Sequence, residues 1–179
     1  MILQQYKIVF AGTMGAGKTS AIKALSNIEV LSTEAVNTDT AAHSKQFTTV
    51  GIDYGELTLD DGIKVGLYGT PGQERFDFMW NVICKGALGT IILIDHTAHD
   101  PIDELNYYLD YFKTISQNIV IGITHTDLKS AQSTAIYRQW EDLHRHQHHT
   151  LFFVDARKKD DILLLIEALI TKAEVALSV

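Results

Sequence analysis

The stretch that most limits what this chain can become is Gly12–Thr13–Met14–Gly15–Ala16–Gly17–Lys18–Thr19. It follows a β-branched apolar run, Tyr6–Phe10, and precedes a segment with helical spacing that opens at Ser20. The pattern G-x-x-x-x-G-K-T carries meaning in that setting, with a strand before it and a helix after. A glycine-rich loop lets successive backbone N–H groups converge on one point, and the helix N-terminus adds a positive dipole there. A polyphosphate is the natural occupant. Lys18 would neutralise its outer groups, and the Thr19 hydroxyl would ligate Mg²⁺. Residues Gly12, Thr13, Met14, Gly15, Ala16, Gly17, Lys18, Thr19 and Ser20 are therefore the candidate contacts to a nucleotide tail.

The rest of the chain alternates. Short apolar runs recur at Lys64–Leu67, Thr90–Asp95, Asn118–Thr124 and Leu151–Val154, with helical spacing between most of them. Leu105, Leu109, Phe112 and Ile115 form one stripe. Ile162, Leu165, Ile166, Leu169, Ile170 and Ala173 form another at i, i+3, i+4, i+7. The exception is Thr49–Leu67, where Asp60–Asp61–Gly62 separates two strand-like runs and reads as a tight hairpin turn. The expected fold is α/β: a three-layer P-loop NTPase architecture with a mostly parallel six-stranded sheet, one antiparallel edge strand and helices on both faces. With 179 residues and neither linker-like stretch nor repeat, a single domain over 1–179 is expected.

Composition narrows the partners. The chain has 22 acidic and 15 basic residues, a net charge of −7. That argues against nucleic acid and anionic membrane, both of which select a basic footprint. The one cysteine, Cys84, suits a reducing compartment. The apolar runs are too short to span a bilayer and neither terminus carries a lipidation signal, so a cytoplasmic location without a membrane anchor is the expectation.

Two more segments bear on the chemistry: Gly69–Thr70–Pro71–Gly72–Gln73–Glu74–Arg75–Phe76 after the Lys64–Leu67 run, and Thr124–His125–Thr126–Asp127 after the Asn118–Ile123 run. A carboxylate at the end of a strand can accept together from guanine N1–H and the 2-amino group. Adenine offers an acceptor at N1 and would leave that carboxylate unpaired. The plainer role for Asp127 is as a cap on the next helix. With Thr48–Thr49–Val50–Gly51–Ile52–Asp53 upstream, the whole set resembles the Ras-like small GTPases, and most of all the bacterial and archaeal MglA-type branch, where switch II also reads T-P-G-Q. The resemblance spans essentially the whole chain.

The resemblance implies roles. Thr49 would be the switch I threonine, ligating Mg²⁺ with Thr19 and sensing the γ-phosphate. Gly72 would donate its N–H to that phosphate and Gln73 would orient the attacking water, with Lys18 as the neutralising cation. Thr124, His125 and Asp127 would hold the base, His125 lying where a lysine stem is usual. Val154–Asp155–Ala156 would occupy the S-A-K segment, with the Ala156 N–H near guanine O6 and Asp155 and Arg157 among the nucleotide contacts. The implied cofactors are GTP, GDP and Mg²⁺, and the implied activity is slow GTP hydrolysis in a molecular switch.

Departures from that pattern set further expectations. Gly69 stands where D-x-x-G has its metal-supporting Asp, leaving Asp39, Asp53 and Asp95 as substitutes. Met14 replaces a glycine beside the γ-phosphate and would crowd an arginine supplied in trans. The four arginines are Arg75, Arg138, Arg145 and Arg157. Only Arg75 is near enough to Gln73 to serve as an internal finger, and a solvated switch II charge is its simpler role. In switch I the basic candidates are Lys45 and His43.

Phe76, Met79, Trp80 and Ile83 fit one buried helical face, whereas Phe78 and Val82 fall off it. Phe78, with Phe47 and Ile52, is the candidate surface for an effector or regulator, of roadblock type in such relatives. His146, His148 and His149 offer zinc or nickel ligands, although a polar helix C-terminus is the simpler account of that run. Two other readings stand beside the switch: a GTP-binding scaffold without useful hydrolysis, and an ATP-dependent small-molecule kinase.

Overall fold

The computed structural model describes residues 5–33, 51–128 and 132–178. Strand β1 (Gln5–Ala11) leads through the glycine loop into helix α1 (Lys18–Leu25). A two-residue strand, β2 (Leu31–Ser32), precedes β3 (Asp53–Thr58) and β4 (Lys64–Gly69). There follow α2 (Asp77–Cys84), β5 (Gly89–Asp95), α3 (Pro101–Phe112), β6 (Ile119–Thr124), α4 (Ala135–Leu143), β7 (Thr150–Phe153) and α5 (Lys159–Leu177). Single 3₁₀ turns occupy Glu74–Phe76 and Arg145–Gln147.

The sheet runs β2-β3-β4-β1-β5-β6-β7. Among the described residues it has seven strands where six were expected, because the short Leu31–Ser32 segment pairs antiparallel with Tyr54 and Asp53. β3 is antiparallel to both of its neighbours, and the β4-β1-β5-β6-β7 pairs are all parallel. The reversed strand thus lies one in from the edge. Its register follows from the hairpin, where Gly62 takes φ +82° and its N–H donates to the Leu59 carbonyl at 2.8 Å. Counting back from the turn, Thr58 pairs with Lys64 and Asp53 with Gly69.

The two faces of the parallel strands feed two cores, as alternation along a doubly covered sheet requires. Ile8, Phe10, Val65, Leu67, Ile91 and Leu93 meet α1 and α5 on one side. Val9, Ala11, Ile92, Ile94, Ile121 and Ile123 meet α2, α3 and α4 on the other. The expected α5 stripe is buried at Ile162, Leu165, Ile166, Leu169 and Ala173. Gly122 leaves the room α5 needs, since a Cβ there would lie 3.0 Å from Leu165 Cδ1. Among the described residues, no helix is long and apolar enough to cross a membrane.

Trp80 organises the second core. Its ring packs on Tyr108, Tyr111 and Phe112 at centroid distances of 5.2, 4.9 and 5.1 Å. Its indole N–H donates to the Pro71 carbonyl at 3.1 Å, which ties α2 to the end of β4. Two histidines of the 144–149 run have local contacts, whereas His146 and His148 are exposed. His144 stacks on Trp140, and His149 Nε2 lies 2.8 Å from Gln147 Oε1. Among the described residues, no group of three or more His, Cys, Asp or Glu side chains could hold a metal.

Candidate functional site

The parallel strands β1, β5 and β6 all end on one edge of the sheet, and the loops that leave them make the site. The loop after β1 closes on itself, with the Ala16 N–H donating to the Thr13 carbonyl at 3.2 Å. Gly17 then enters α1 at φ +103°, in the left-handed region. A Cβ at Gly17 would lie 2.8 Å from Ala156 Cβ, so the loop also touches the segment after β7. The Thr13 hydroxyl donates to Glu104 Oε2 on α3 at 3.3 Å, and burial pushes the Glu104 carboxyl up.

Lys18 is 8% exposed. Its ammonium donates to the carbonyls of Gly12 and Thr13 at 2.6 and 2.7 Å, curling back over its own loop. Burial lowers its pKa from 10.5 to about 8, partly offset by the Asp53 carboxylate. A cation that has lost hydration but has two carbonyl dipoles as neighbours is well suited to an incoming anion.

Next to it, the Thr19 hydroxyl donates to Asp53 Oδ2, and the Ser32 hydroxyl donates to Asp53 Oδ1 at 2.6 Å. A Cβ on Gly69 would lie 3.2 Å from Asp53 Cβ and 3.3 Å from Asp53 Oδ2. The carboxylate of β3 therefore covers the spot that a side chain at Gly69 would enter. Of the three acidic substitutes, Asp53 is beside Thr19. Asp95 instead accepts from the Thr97 N–H and lies 3.1 Å from His125 Nδ1. Asp39 lies outside the described residues, as do Thr49, Phe47, Lys45 and His43. The Thr70 hydroxyl is fully buried and has no hydrogen-bond partner among the described residues, and Thr70 lines the same cleft.

The segment after β4 lies directly on the phosphate loop. A Cβ at Gly72 would be 2.6 Å from the Met14 nitrogen and 3.0 Å from Lys18 Nζ, so only glycine brings its backbone this close. Gln73 Nε2 reaches Met14 Sδ at 3.5 Å, and Met14 itself is 67% exposed at the rim. Arg75 lies over the Phe76 ring at 4.9 Å and does not line the cleft. Phe76, Trp80 and Ile83 are buried and Met79 is half-buried, whereas Phe78 and Val82 are exposed. Ile52, expected on the same surface as Phe78, is half-buried against the second core.

The cleft so formed has a volume of about 670 Å³ and runs from Thr33 and Asp53 past Lys18 and Gly72 to His125. Beyond His125 the remaining candidates are held by other ties. The Thr124 hydroxyl is shared between the carbonyls of Ala16, at 2.8 Å, and Ile94, at 3.2 Å. His125 takes φ +59°, turning the chain so that the Leu128 N–H meets the His125 carbonyl. Asp127 does not cap α4, which begins after Thr134. Its Oδ2 accepts from Arg157 Nη2 at 2.9 Å. Arg157 also donates from Nε and Nη2 to Asp155, at 2.8 and 2.7 Å, and these bonds hold the Asp155 carboxyl well below the usual range. Sequence reasoning missed Ser32, Glu104 and the Arg157 bridge. The β3 register, countable from Asp61–Gly62, was the signal available for Asp53.

A protein-family model described as a conserved hypothetical ATP binding protein matches residues 29–175. The chain belongs to that family. The matched stretch of this ATP binding family begins after the glycine loop and runs from before β2 into the last turn of α5. Among curated proteins, the Ras-related protein Rab-18 of Caenorhabditis elegans is 25% identical over 175 residues, 95% of this chain and 80% of its own. Rab-26 of Rattus norvegicus is 27% identical over 138 residues, 75% of this chain and 49% of its own. An uncharacterized protein of Methanocaldococcus jannaschii is 33% identical over 91 residues, 51% of each. Together with the fold, these likenesses make this member of the ATP binding family a P-loop nucleotide-binding, GTPase-like protein related to the Ras-like superfamily.

Proposed function

We propose that the chain is a guanine-nucleotide switch, a single nucleotide-binding domain that holds GTP or GDP and hydrolyses GTP slowly. The observation that carries this reading is the carboxylate of Asp127 on a loop bonded, through Thr124, to the phosphate loop itself. The two ends of a nucleotide would meet one rigid unit. A carboxylate there satisfies guanine and leaves itself unpaired against adenine, a mismatch worth a factor of about 10 to 100. The T-P-G-Q wording of 70–73 favours the MglA-type branch.

Mg²⁺ fits the donor set beside Lys18. Thr19 and Asp53 would supply hard oxygen ligands, directly or through water, at a cleft that Thr70 also lines, its buried hydroxyl without a partner among the described residues, and Thr49 is the switch I candidate. The ion would neutralise charge on the phosphate oxygens. The residues of the chain do the rest. Lys18 and the N–H groups of the loop hold the β- and γ-phosphates, and Gly72 contributes its N–H from the facing segment. Gln73 orients a water, whose oxygen bonds to the γ-phosphorus as the bond to the β–γ bridging oxygen breaks. GDP leaves with that electron pair, and the proton of the water ends on inorganic phosphate. With Arg75 lying over Phe76 outside the cleft, no arginine of the chain assists, and turnover is slow. Phe78 and Val82, exposed on α2, supply the apolar contact for a protein effector or regulator.

The test is direct. Purified protein is incubated with Mg²⁺ and either GTP or ATP, and retained nucleotide and released phosphate are measured. Guanine retention with slow release is expected, and Asp127→Asn should exchange guanine for xanthine preference. Preference for ATP, or guanine selectivity that survives Asp127→Asn, overturns the reading. GTP held intact indefinitely would mark a scaffold instead.

A further inference from the structure

Asp127 and Asp155 are two acidic side chains whose oxygens lie 2.9 and 2.7 Å from one nitrogen, Arg157 Nη2. We propose that Arg157 is a positioning residue for purine selection: its guanidinium bridges Asp155 and Asp127 and fixes the direction in which the Asp127 carboxylate presents itself to a base. The inference deepens the guanine reading above and rests on it.

The geometry is built from the turn outward. Asp155 Oδ1 accepts from both the N–H and the Nε of Arg157, at 3.0 and 2.8 Å, so the arginine is folded back onto its own turn. The Asp155 N–H in turn donates to Asp161 Oδ2 at 2.7 Å, in the first turn of α5. The arginine is thus anchored to a helix start before it reaches Asp127. A planar guanidinium held at two points has few orientations left for its remaining donor. The bond to Asp127 uses Oδ2, and an ionised carboxylate offers about four lone-pair sites, enough for a base to add two donors.

The side chains of Arg157 and Asp127 are 68% and 53% exposed, so the bridge adds little to the stability of the fold. Its effect is felt when a base covers the site. Water then leaves, the attraction strengthens, and the two carboxylates would repel between the loops after β6 and β7 without the cation between them. Selectivity, rather than folding, is what the arginine governs.

The experiment compares GDP with inosine diphosphate, which lacks the 2-amino group and so tests whether Asp127 meets both donors at once. Affinities for both are measured by titration calorimetry on the wild type, Arg157→Met, Arg157→Lys and the double variant Asp155→Ser/Arg157→Met. Wild type should prefer GDP by about tenfold, one charge-assisted hydrogen bond. In Arg157→Met the preference should fall to about threefold or less, with GDP binding weakened about tenfold. Arg157→Lys, which keeps the charge without the fork, should fall between. The double variant should stay near the Arg157→Met preference, because without the guanidinium nothing fixes the direction of the Asp127 carboxylate. The ratio of the two affinities is what a merely structural role would not move. Equal weakening of GDP and inosine diphosphate in Arg157→Met, no weakening at all, or a double variant with the wild-type preference each overturns the inference while leaving the guanine reading intact. A wild type that binds the two equally overturns both.

Discussion

Lys18 should make the stability of this protein climb with pH, which few lysines do. The residue is 8% exposed and its pKa is lowered from 10.5 to about 8, chiefly by burial. That shift corresponds to about 3 kcal/mol held against the charged form in the folded chain. Between pH 8 and 10.5 the unfolded state binds more protons than the native one, so the free energy of unfolding rises as the proton is lost. Between pH 7.5 and 9.5 the gain should be on the order of 2 kcal/mol. Burial also lowers Lys7 and Lys172 and raises Cys84. The measurement is therefore a difference. Urea unfolding, followed by fluorescence of the buried Trp80, is run at both pH values on wild type and Lys18→Met. The wild type should gain on the order of 2 kcal/mol over the variant. Saturating tripolyphosphate should abolish or reverse that gain, because an anion at the loop holds the proton on. Identical pH dependence in the two proteins would mean that the ammonium is solvated, and the account of the phosphate side would fail.

Two other perturbations read neighbouring parts of the site. Asp53→Asn keeps the shape beside Thr19 but removes its charge. About tenfold more Mg²⁺ should then be needed to retain nucleotide in a dissociation assay, and an unchanged requirement would remove Asp53 from the metal site. Gly17→Ala sets a Cβ 2.8 Å from Ala156 Cβ at a φ of +103°. Strain and overpacking together should cost about 2–4 kcal/mol, seen as a lower denaturation midpoint, and a change under about 0.5 kcal/mol would refute the close approach.

Much of this architecture could be read before any coordinate was known, and the reason is periodicity. The α5 stripe and the doubly buried runs of β1, β5 and β6 each repeat a burial pattern over enough residues to be unmistakable. The Asp61–Gly62 turn added an antiparallel partner for β4. Leu31–Ser32 carried no such signal: two residues have no period, and their strand exists because β3 offers an edge. Local pattern also singled out Thr19 and Gly72, which line the cleft, and Asp127, which bonds to Arg157 instead. The role of Asp53 is different in kind, because it depends on which residue faces Gly69 across two strands. That register was countable from the hairpin, although Asp39 and Asp95 looked equally eligible without it. The Arg157 bridge was less accessible still, since it joins loops after β6 and β7 that meet only in space. Ile52 shows the opposite error. An apolar residue beside a switch segment looked like a surface contact, and the core claimed half of it.

The shared hydroxyl of Thr124 has a mechanical consequence. Because one oxygen grips the carbonyls of Ala16 and Ile94 together, the purine end and the tail end of a nucleotide bound as proposed would rest on a common hinge. A regulator that pried at either loop would loosen the whole ligand in one stroke, and it would never need to reach into the cleft to empty it.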